Sequence, residues 1–130
     1  VRISTQQARA ALSERVPLAD AVANIGHSLG LLEALRAGDI AALTKAMQDR
    51  LHQPYRLALM PGAEEALNAA TAAGGAAALS GAGPSLIAFV DQGREKAVSE
   101  ALRAPFAERG VGVRLYRLAT TAKAAAVSEG

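Results

Sequence analysis

Three groups of residues in this chain of 130 have the side chains and spacing to hold an anion. The first is Ser80-Gly81-Ala82-Gly83-Pro84-Ser85, preceded by Leu79. Two glycines among small neighbours let a backbone come close to a bulky anionic group with its N–H donors turned toward it. The same string also reads as a tight turn between strands, and a bare Gly-x-Gly does not separate the two readings. Two familiar phosphate sites are excluded. A Walker loop needs Gly-Lys-Ser/Thr where this chain has Gly83-Pro84-Ser85. A dinucleotide fingerprint must lead into a helix, whereas Leu86 to Val90 reads as a strand.

The second group is His52-Gln53-Pro54-Tyr55-Arg56. An arginine in an irregular segment beside Pro and Tyr is better fixed than one on a free helix face, and its planar fork suits a carboxylate or phosphate. The plainer reading is a surface arginine next to a helix stop. His52 is a proton carrier only if a carboxylate orients it, and no such partner is evident, so it reads as structural. His27 reads as a surface residue. The third group is Thr5 and Arg9, one turn apart at a helix start, which could hold a hydroxyl and a carboxylate together or could be a capped helix with a solvated arginine. No Ser/His/Asp order, His-Glu-x-x-His string or acidic cluster is present, so no residue is assigned as catalytic and none as a metal ligand.

The elements that must position these groups can be read from the hydrophobic period. Val1 to Ile3 reads as a short extended start. Ser4 and Gln7 have the form of a capping box that opens a helix at about Thr5, with Thr5, Arg9 and Ser13 on one face. Pro17 suits the first turn of a second helix, in which Leu18, Val22, Ile25, Leu29 and Leu32 form an apolar stripe that predicts a long packed helix ended by Gly38. Asp39 caps a third helix with Ile40, Leu43, Met47 and Leu51 at helical spacing, bounded by Pro54. Ala63 to Ala73 is a fourth helix, closed by Gly74-Gly75. Ala76 to Leu79 and Leu86 to Val90 read as antiparallel strands around the glycine loop. Val98, Leu102 and Phe106 mark a further helix that Pro105 should kink or end. Val111, Val113 and Leu115 alternate as a last strand, and residues 119–130 read as a weakly structured tail. The order is that of an α+β fold, a ferredoxin-like split βαβ sandwich with a helical insertion after the first strand.

Composition narrows the class. Alanine supplies 32 residues and the aromatics only 3%, so the core is expected to be built from Ala, Leu, Val and Ile. Zero cysteines exclude disulfides and thiolate metal sites, and two histidines 25 positions apart do not form a ligand spacing. The net charge of +2 is carried by 11 Arg and 3 Lys without a basic run, which argues against nucleic acid as a partner. Residues 66–90 are uncharged, but Gly74-Gly75 and Gly81 to Pro84 break them, so no membrane span is expected. Val1 opens neither a signal nor a transit peptide, and the chain reads as one that starts in mid-protein, in a cytoplasmic protein.

Taken together, Asp49-Arg50-Leu51-His52-Gln53-Pro54-Tyr55-Arg56, Met60-Pro61-Gly62 and Leu79 to Ser85 resemble the C-terminal half of homoserine kinases, in the superfamily shared with galactokinase and mevalonate kinase. Ser4-Thr5-Gln6-Gln7-Ala8-Arg9 is similar to that family's Ser-Thr-Lys-x-x-Arg segment, with Gln6 where Lys is usual. The glycine loop marks the superfamily, whereas the Leu-His-x-Pro-Tyr-Arg string is the specific part. The resemblance implies transfer of the γ-phosphoryl group of ATP, with Mg²⁺, to the hydroxyl of L-homoserine on the threonine pathway. It implies that Arg9 and Arg56 grip the amino acid's carboxylate, that Thr5 lies near the substrate end, and that Ser80, Gly81, Ala82, Gly83, Pro84 and Ser85 pack beside the phosphates. Phosphoryl transfer asks mostly for positioning and charge neutralisation, so the lack of an evident base is no objection.

The family's Pro-x-x-x-Gly-Leu-Gly-Ser-Ser-Ala phosphate loop occurs nowhere in these residues. The expectation is therefore that residues 1–130 form the substrate-side domain of a two-domain kinase, inactive without the N-terminal half that holds ATP and Mg²⁺. Such a half is expected to expose an apolar face that drives homodimer formation. Two other readings stay open: a non-catalytic ferredoxin-like module that binds an amino acid or a partner protein, and a kinase of the same superfamily acting on another small alcohol.

Overall fold

The computed structural model describes residues 3–120. Within them the chain forms six helices and one antiparallel hairpin. The capping box is present: Ser4 Oγ accepts from Gln7 N at 3.1 Å and Gln7 Oε1 accepts from Ser4 N at 2.9 Å, opening α1 (Thr5–Ala10). Ser13 lies beyond this short helix, so the expected face shrinks to Thr5 and Arg9. Pro17 sits one position before α2 (Leu18–Ala37), which Gly38 ends in the left-handed region at φ 66°. Asp39 caps α3 (Ile40–Ala46) through a bond from Ala42 N at 2.9 Å.

Two expectations fail at the next segment. α3 stops at Ala46, so Leu51 is outside it, and the irregular stretch around Arg56 is instead a second short helix, α4 (Gln53–Leu57), with Pro54 in its first turn. Pro54 thus starts a helix rather than bounding one, because the amide it lacks would be unbonded there in any case.

α5 (Ala63–Ala72) lies against β1 (Gly75–Leu79), and β1 pairs with β2 (Leu86–Val90) in antiparallel register from Gly75↔Val90 to Leu79↔Leu86. Ala66, Ala70 and Ala76 are wholly buried. Small side chains are what allow this close approach: a Cβ on Gly75 would stand 2.9 Å from Val98 Cγ1 and 3.2 Å from the Ala70 carbonyl. The core falls into two clusters. Ala34, Leu43 and Ala76 join α2, α3 and β1, while Met60, Ala63 and Leu79 join α5, β1 and the segment before α5.

α6 (Glu95–Ala107) runs through Pro105 rather than ending there. Pro105 lies in the last turn and is buried, and Phe106 packs against the Met60, Ala63 and Leu79 cluster, so packing offsets a single lost helical bond. Residues 111–120 form no regular element, so the expected strand at Val111, Val113 and Leu115 is absent. A strand needs a ladder partner, and among the described residues the sheet has two strands only. The expected first strand falls on Val1 and Arg2, outside the described residues, and on Ile3, which is in no element. Most of the expected tail, residues 121–130, also lies outside them. The architecture is α+β. Among the described residues no helix is long and apolar enough to cross a membrane.

The largest departure concerns α2. Its stripe, expected to mark a packed helix, is on the outside, with Leu18 80% exposed. The helix is held instead by its other face, through Leu31, Ala34, Asn24 and His27.

Candidate functional site

Arg56 stands where three parts of the chain meet. Its Nε donates to the Ala8 carbonyl of α1 at 3.3 Å, and its Nη1 donates to His52 Nδ1 at 3.2 Å and to the Gly81 carbonyl at 3.3 Å. The structure thereby brings the residue before Arg9, the Pro-Tyr-Arg segment and the glycine loop to one point, although they are up to 73 positions apart (81 − 8). A guanidinium carries donors only, so His52 Nδ1 is the bare nitrogen and its proton sits on Nε2. Two of the three Arg56 nitrogens are thus engaged by the protein, and Nη2 bonds to nothing among the described residues. A bidentate grip on a carboxylate would require Nε or Nη1 to release its present partner.

Arg9 and Thr5 are exposed on α1, and Arg9 forms no ion pair among the described residues. Ser80 N donates to the Ser85 carbonyl at 2.8 Å and Gly83 N to the Ser80 carbonyl at 3.2 Å, which closes the loop at the hairpin end. Gly81 and Gly83 have φ of 61° and 83°, and the Gly83–Pro84 peptide is cis. The amides of Gly81 and Ala82 donate to nothing among the described residues, leaving two free N–H groups at the tip beside Arg56. Gln53 locks the loop's base to α4, since its Oε1 accepts from Leu79 N at 2.7 Å.

The residue that organises this junction, Asp49, was not singled out from the sequence. Its Oδ2 accepts from the amides of Leu51, His52 and Gln53 at 3.1, 2.6 and 2.6 Å, and its Oδ1 accepts from Asn24 Nδ2 at 2.6 Å. His52 Nε2 stands 3.7 Å from Asp49 Oδ1, so the imidazole has the carboxylate neighbour it was read as lacking. Burial pushes the Asp49 carboxyl up, but the amides of Gln53 and His52, the Asn24 side chain and nearby His52 outweigh it and hold the group below its ordinary 3.8. Pro54 in the first turn of α4 is a helix-start signal that could have been read, but Asp49 stands too far before it to look like a cap. Asn24, 25 positions earlier, gave none. His27 is likewise no free surface residue: its Nδ1 donates to the Gln48 carbonyl at 2.6 Å, pinning α2 to the same turn.

A groove of about 390 Å³ opens beside the junction. Its lining is mixed, with His52, Ser80 and Gly81 among the polar residues and Leu31, Leu35 and Phe89 among the apolar ones. Thr5, Arg9 and Arg56 are not on its walls. Among the described residues no group of three His, Cys, Asp or Glu is placed to hold a metal.

The class these elements define is an α+β domain whose glycine-looped hairpin is seated against an anchored arginine. Residues 31–108 match the family described as GHMP kinases C terminal, and the chain belongs to that family. A homoserine kinase of Moorella thermoacetica is 45% identical over 118 residues, 90% of this chain and 40% of that protein. One from a Synechococcus strain is 43% identical over 115 residues, 88% of this chain and 36% of that protein. The crystal structure of homoserine kinase from Cytophaga hutchinsonii superposes with a TM-score of 0.79 at 32% identity, covering 86% of this chain and 36% of that one. The resemblance read from the motifs is thus shown. The chain spans 36% to 40% of the length of these relatives.

Proposed function

We propose that this chain is the substrate-side, C-terminal part of a homoserine kinase of the cytoplasm, which transfers the γ-phosphoryl group of ATP to the hydroxyl oxygen of L-homoserine and so serves threonine biosynthesis. The observation that carries the reading is the junction of Ala8, Arg56 and Gly81, which gathers the three sequence groups expected to meet a small zwitterion and a phosphate. Arg9 and Arg56 bind the substrate's carboxylate, each charge-assisted bond adding about 1.5–3 kcal/mol. Thr5 borders the substrate, and the loop from Ser80 to Ser85 faces the phosphates with the Gly81 and Ala82 amides. ATP supplies the phosphoryl group. Its other contacts and Mg²⁺ are assigned to an N-terminal half, where the family that the motifs resemble carries its phosphate loop.

The test uses the isolated chain and the full-length enzyme side by side. The chain alone with ATP, Mg²⁺ and homoserine yields no phosphohomoserine and binds homoserine weakly by calorimetry. In the full-length enzyme Arg56→Ala raises the KM for homoserine by roughly 10–100-fold, the loss of one such bond. Turnover by the isolated chain refutes the two-half reading. Tight, Arg56-dependent binding of homoserine or threonine by the chain alone would instead identify an amino-acid-binding module, and preference of the full enzyme for another small alcohol would change the substrate.

A further inference from the structure

The imidazole of His52 lies between a cation and an anion, and it holds the cation only while it is neutral. Its Nδ1 accepts from Arg56 Nη1 at 3.2 Å, and its Nε2 faces Asp49 Oδ1 at 3.7 Å. A neutral ring with its proton on Nε2 suits both neighbours. A charged ring carries protons on both nitrogens, so it has nothing left to accept from Arg56 and repels it, while Asp49 attracts it more strongly. Asp49 does not move aside, because the amides of His52 and Gln53 and the Asn24 side chain hold it. The His52 side chain is 34% exposed, so protons from solvent reach it.

Arg56 is otherwise loosely restrained. Its bonds to the carbonyls of Ala8 and Gly81 are both 3.3 Å, longer than an ordinary N–H···O bond, which leaves the imidazole as the shortest of its three contacts. An arginine stem has many rotamers, and fixing it before a ligand arrives removes that ordering cost from binding. We propose, resting on the kinase reading of this site, that His52 is a positioning residue: its neutral ring holds Arg56 Nη1 so that Nη2 is presented to the carboxylate of an amino-acid substrate, and protonation of the ring releases the arginine. The ionisable groups about the ring are Asp49 and Arg50 on its own turn, Arg56 on α4, His27 on α2 and exposed Arg9 on α1, and the glycine loop brings none. Arg50 is turned to Asp20 at 3.4 Å. His27 donates from Nδ1 to the Gln48 carbonyl, a bond that survives its own protonation, so of the two histidines only His52 loses a partner in acid.

The contact is tested on the 130-residue chain and its consequence on the full-length enzyme. By NMR at about pH 8, the imidazole nitrogens of His52 should show a bare Nδ1, and the Arg56 Nε–H resonance should move with pH at the midpoint of the His52 ring, not that of His27. His52→Leu should abolish that movement. In the full-length enzyme at about pH 8, His52→Leu should raise the KM for homoserine by roughly 3–10-fold with kcat unchanged, because the carboxylate lies away from the reacting hydroxyl. His52→Asn sets an amide oxygen where Nδ1 stands and should restore most of that loss. Its amide takes up no proton, so the KM of the unsubstituted enzyme divided by that of His52→Asn should climb by the same factor between about pH 8 and about pH 5.5, with the titration of ATP cancelling in the ratio. An Arg56 resonance indifferent to the His52 ring overturns the proposal. So does a flat ratio, or an unchanged KM in His52→Leu beside a raised one in Arg56→Ala. Should Arg56→Ala also leave KM unchanged, the kinase reading of the site fails and the resonance decides the contact. If His52→Leu loses helix content, His52→Asn and the ratio decide alone.

Discussion

Asn24 and Asp49 are joined at 2.6 Å, amide to carboxylate, across 25 positions of sequence. The bond is one half of a clamp, since Asn24 Oδ1 also accepts from Arg50 N at 3.0 Å. Through it the longest helix fixes the turn that presents His52 and Arg56. The carboxylate uses its second oxygen to collect the amides of Leu51, His52 and Gln53, so one side chain both caps the turn that leads into the five-residue α4 and ties it to α2. A helix this short has no stability of its own, and the bonds at its entrance must supply it.

Asp49→Ala should therefore cost about 1–3 kcal/mol, because the amides of Leu51, His52 and Gln53 lose their acceptor inside a partly buried turn. Asn24→Ala removes the clamp but leaves the cap, and should cost about 1 kcal/mol. Urea titrations of the two variants check the order. An Asp49→Ala midpoint equal to that of the unsubstituted chain would mean that packing of Leu57, not the cap, holds α4.

The same carboxylate sets a pH dependence. Its folded value lies below its ordinary 3.8, so the ionised form is the one the fold prefers. The stability it contributes is present above 3.8 and disappears as pH falls through the lower, folded value. Urea midpoints compared at about pH 6 and about pH 3 should fall more steeply for the unsubstituted chain than for Asp49→Asn, which has no proton to take up there. Parallel profiles would place the acid sensitivity in other carboxylates.

Local chemistry made much of this legible in advance. The Ser4 and Gln7 box, the Asp39 cap, the Gly38 stop and the hairpin around the glycine loop are each decided within a few residues, and each stands in the structure. The errors are of another kind. Spacing showed that α2 has an apolar stripe but carried no information on what lies opposite it, and the stripe is open. Alternation at Val111, Val113 and Leu115 signalled a strand, yet a strand exists only where a neighbour supplies its ladder, and the described residues supply none. At the candidate site, Arg56 stands out in the sequence by its fork and its proline neighbour, and the structure seats it between α1 and the glycine loop. Its anchors at Ala8 and Gly81, and the Asn24 and Asp49 clamp behind it, depend on contacts 25 or more positions apart that no local pattern encodes.

The two glycines of the loop should respond differently to a methyl group. Gly83 has φ 83°, and a Cβ there would stand 3.1 Å from Met60 Sδ and 3.2 Å from Leu79 Cδ1, both side chains of a buried cluster. Gly81 has φ 61° but open space around it. Left-handed backbone costs an alanine roughly 1–2 kcal/mol at either position. Only at Gly83 is crowding added, so Gly83→Ala should be the more destabilising of the pair by about 1 kcal/mol or more. The loop must also shift to relieve it, and Arg56 Nη1 is bonded to that loop at the Gly81 carbonyl. Gly83→Ala should thus disturb Arg56 as well, whereas Gly81→Ala leaves the core beneath the loop unchanged. Thermal unfolding of both variants, with the chemical shift of Arg56 Nε followed by NMR, checks the two effects together. Equal melting temperatures with no shift at Arg56 would show that Met60 yields to the methyl group and that the loop is not seated by its contact with the core.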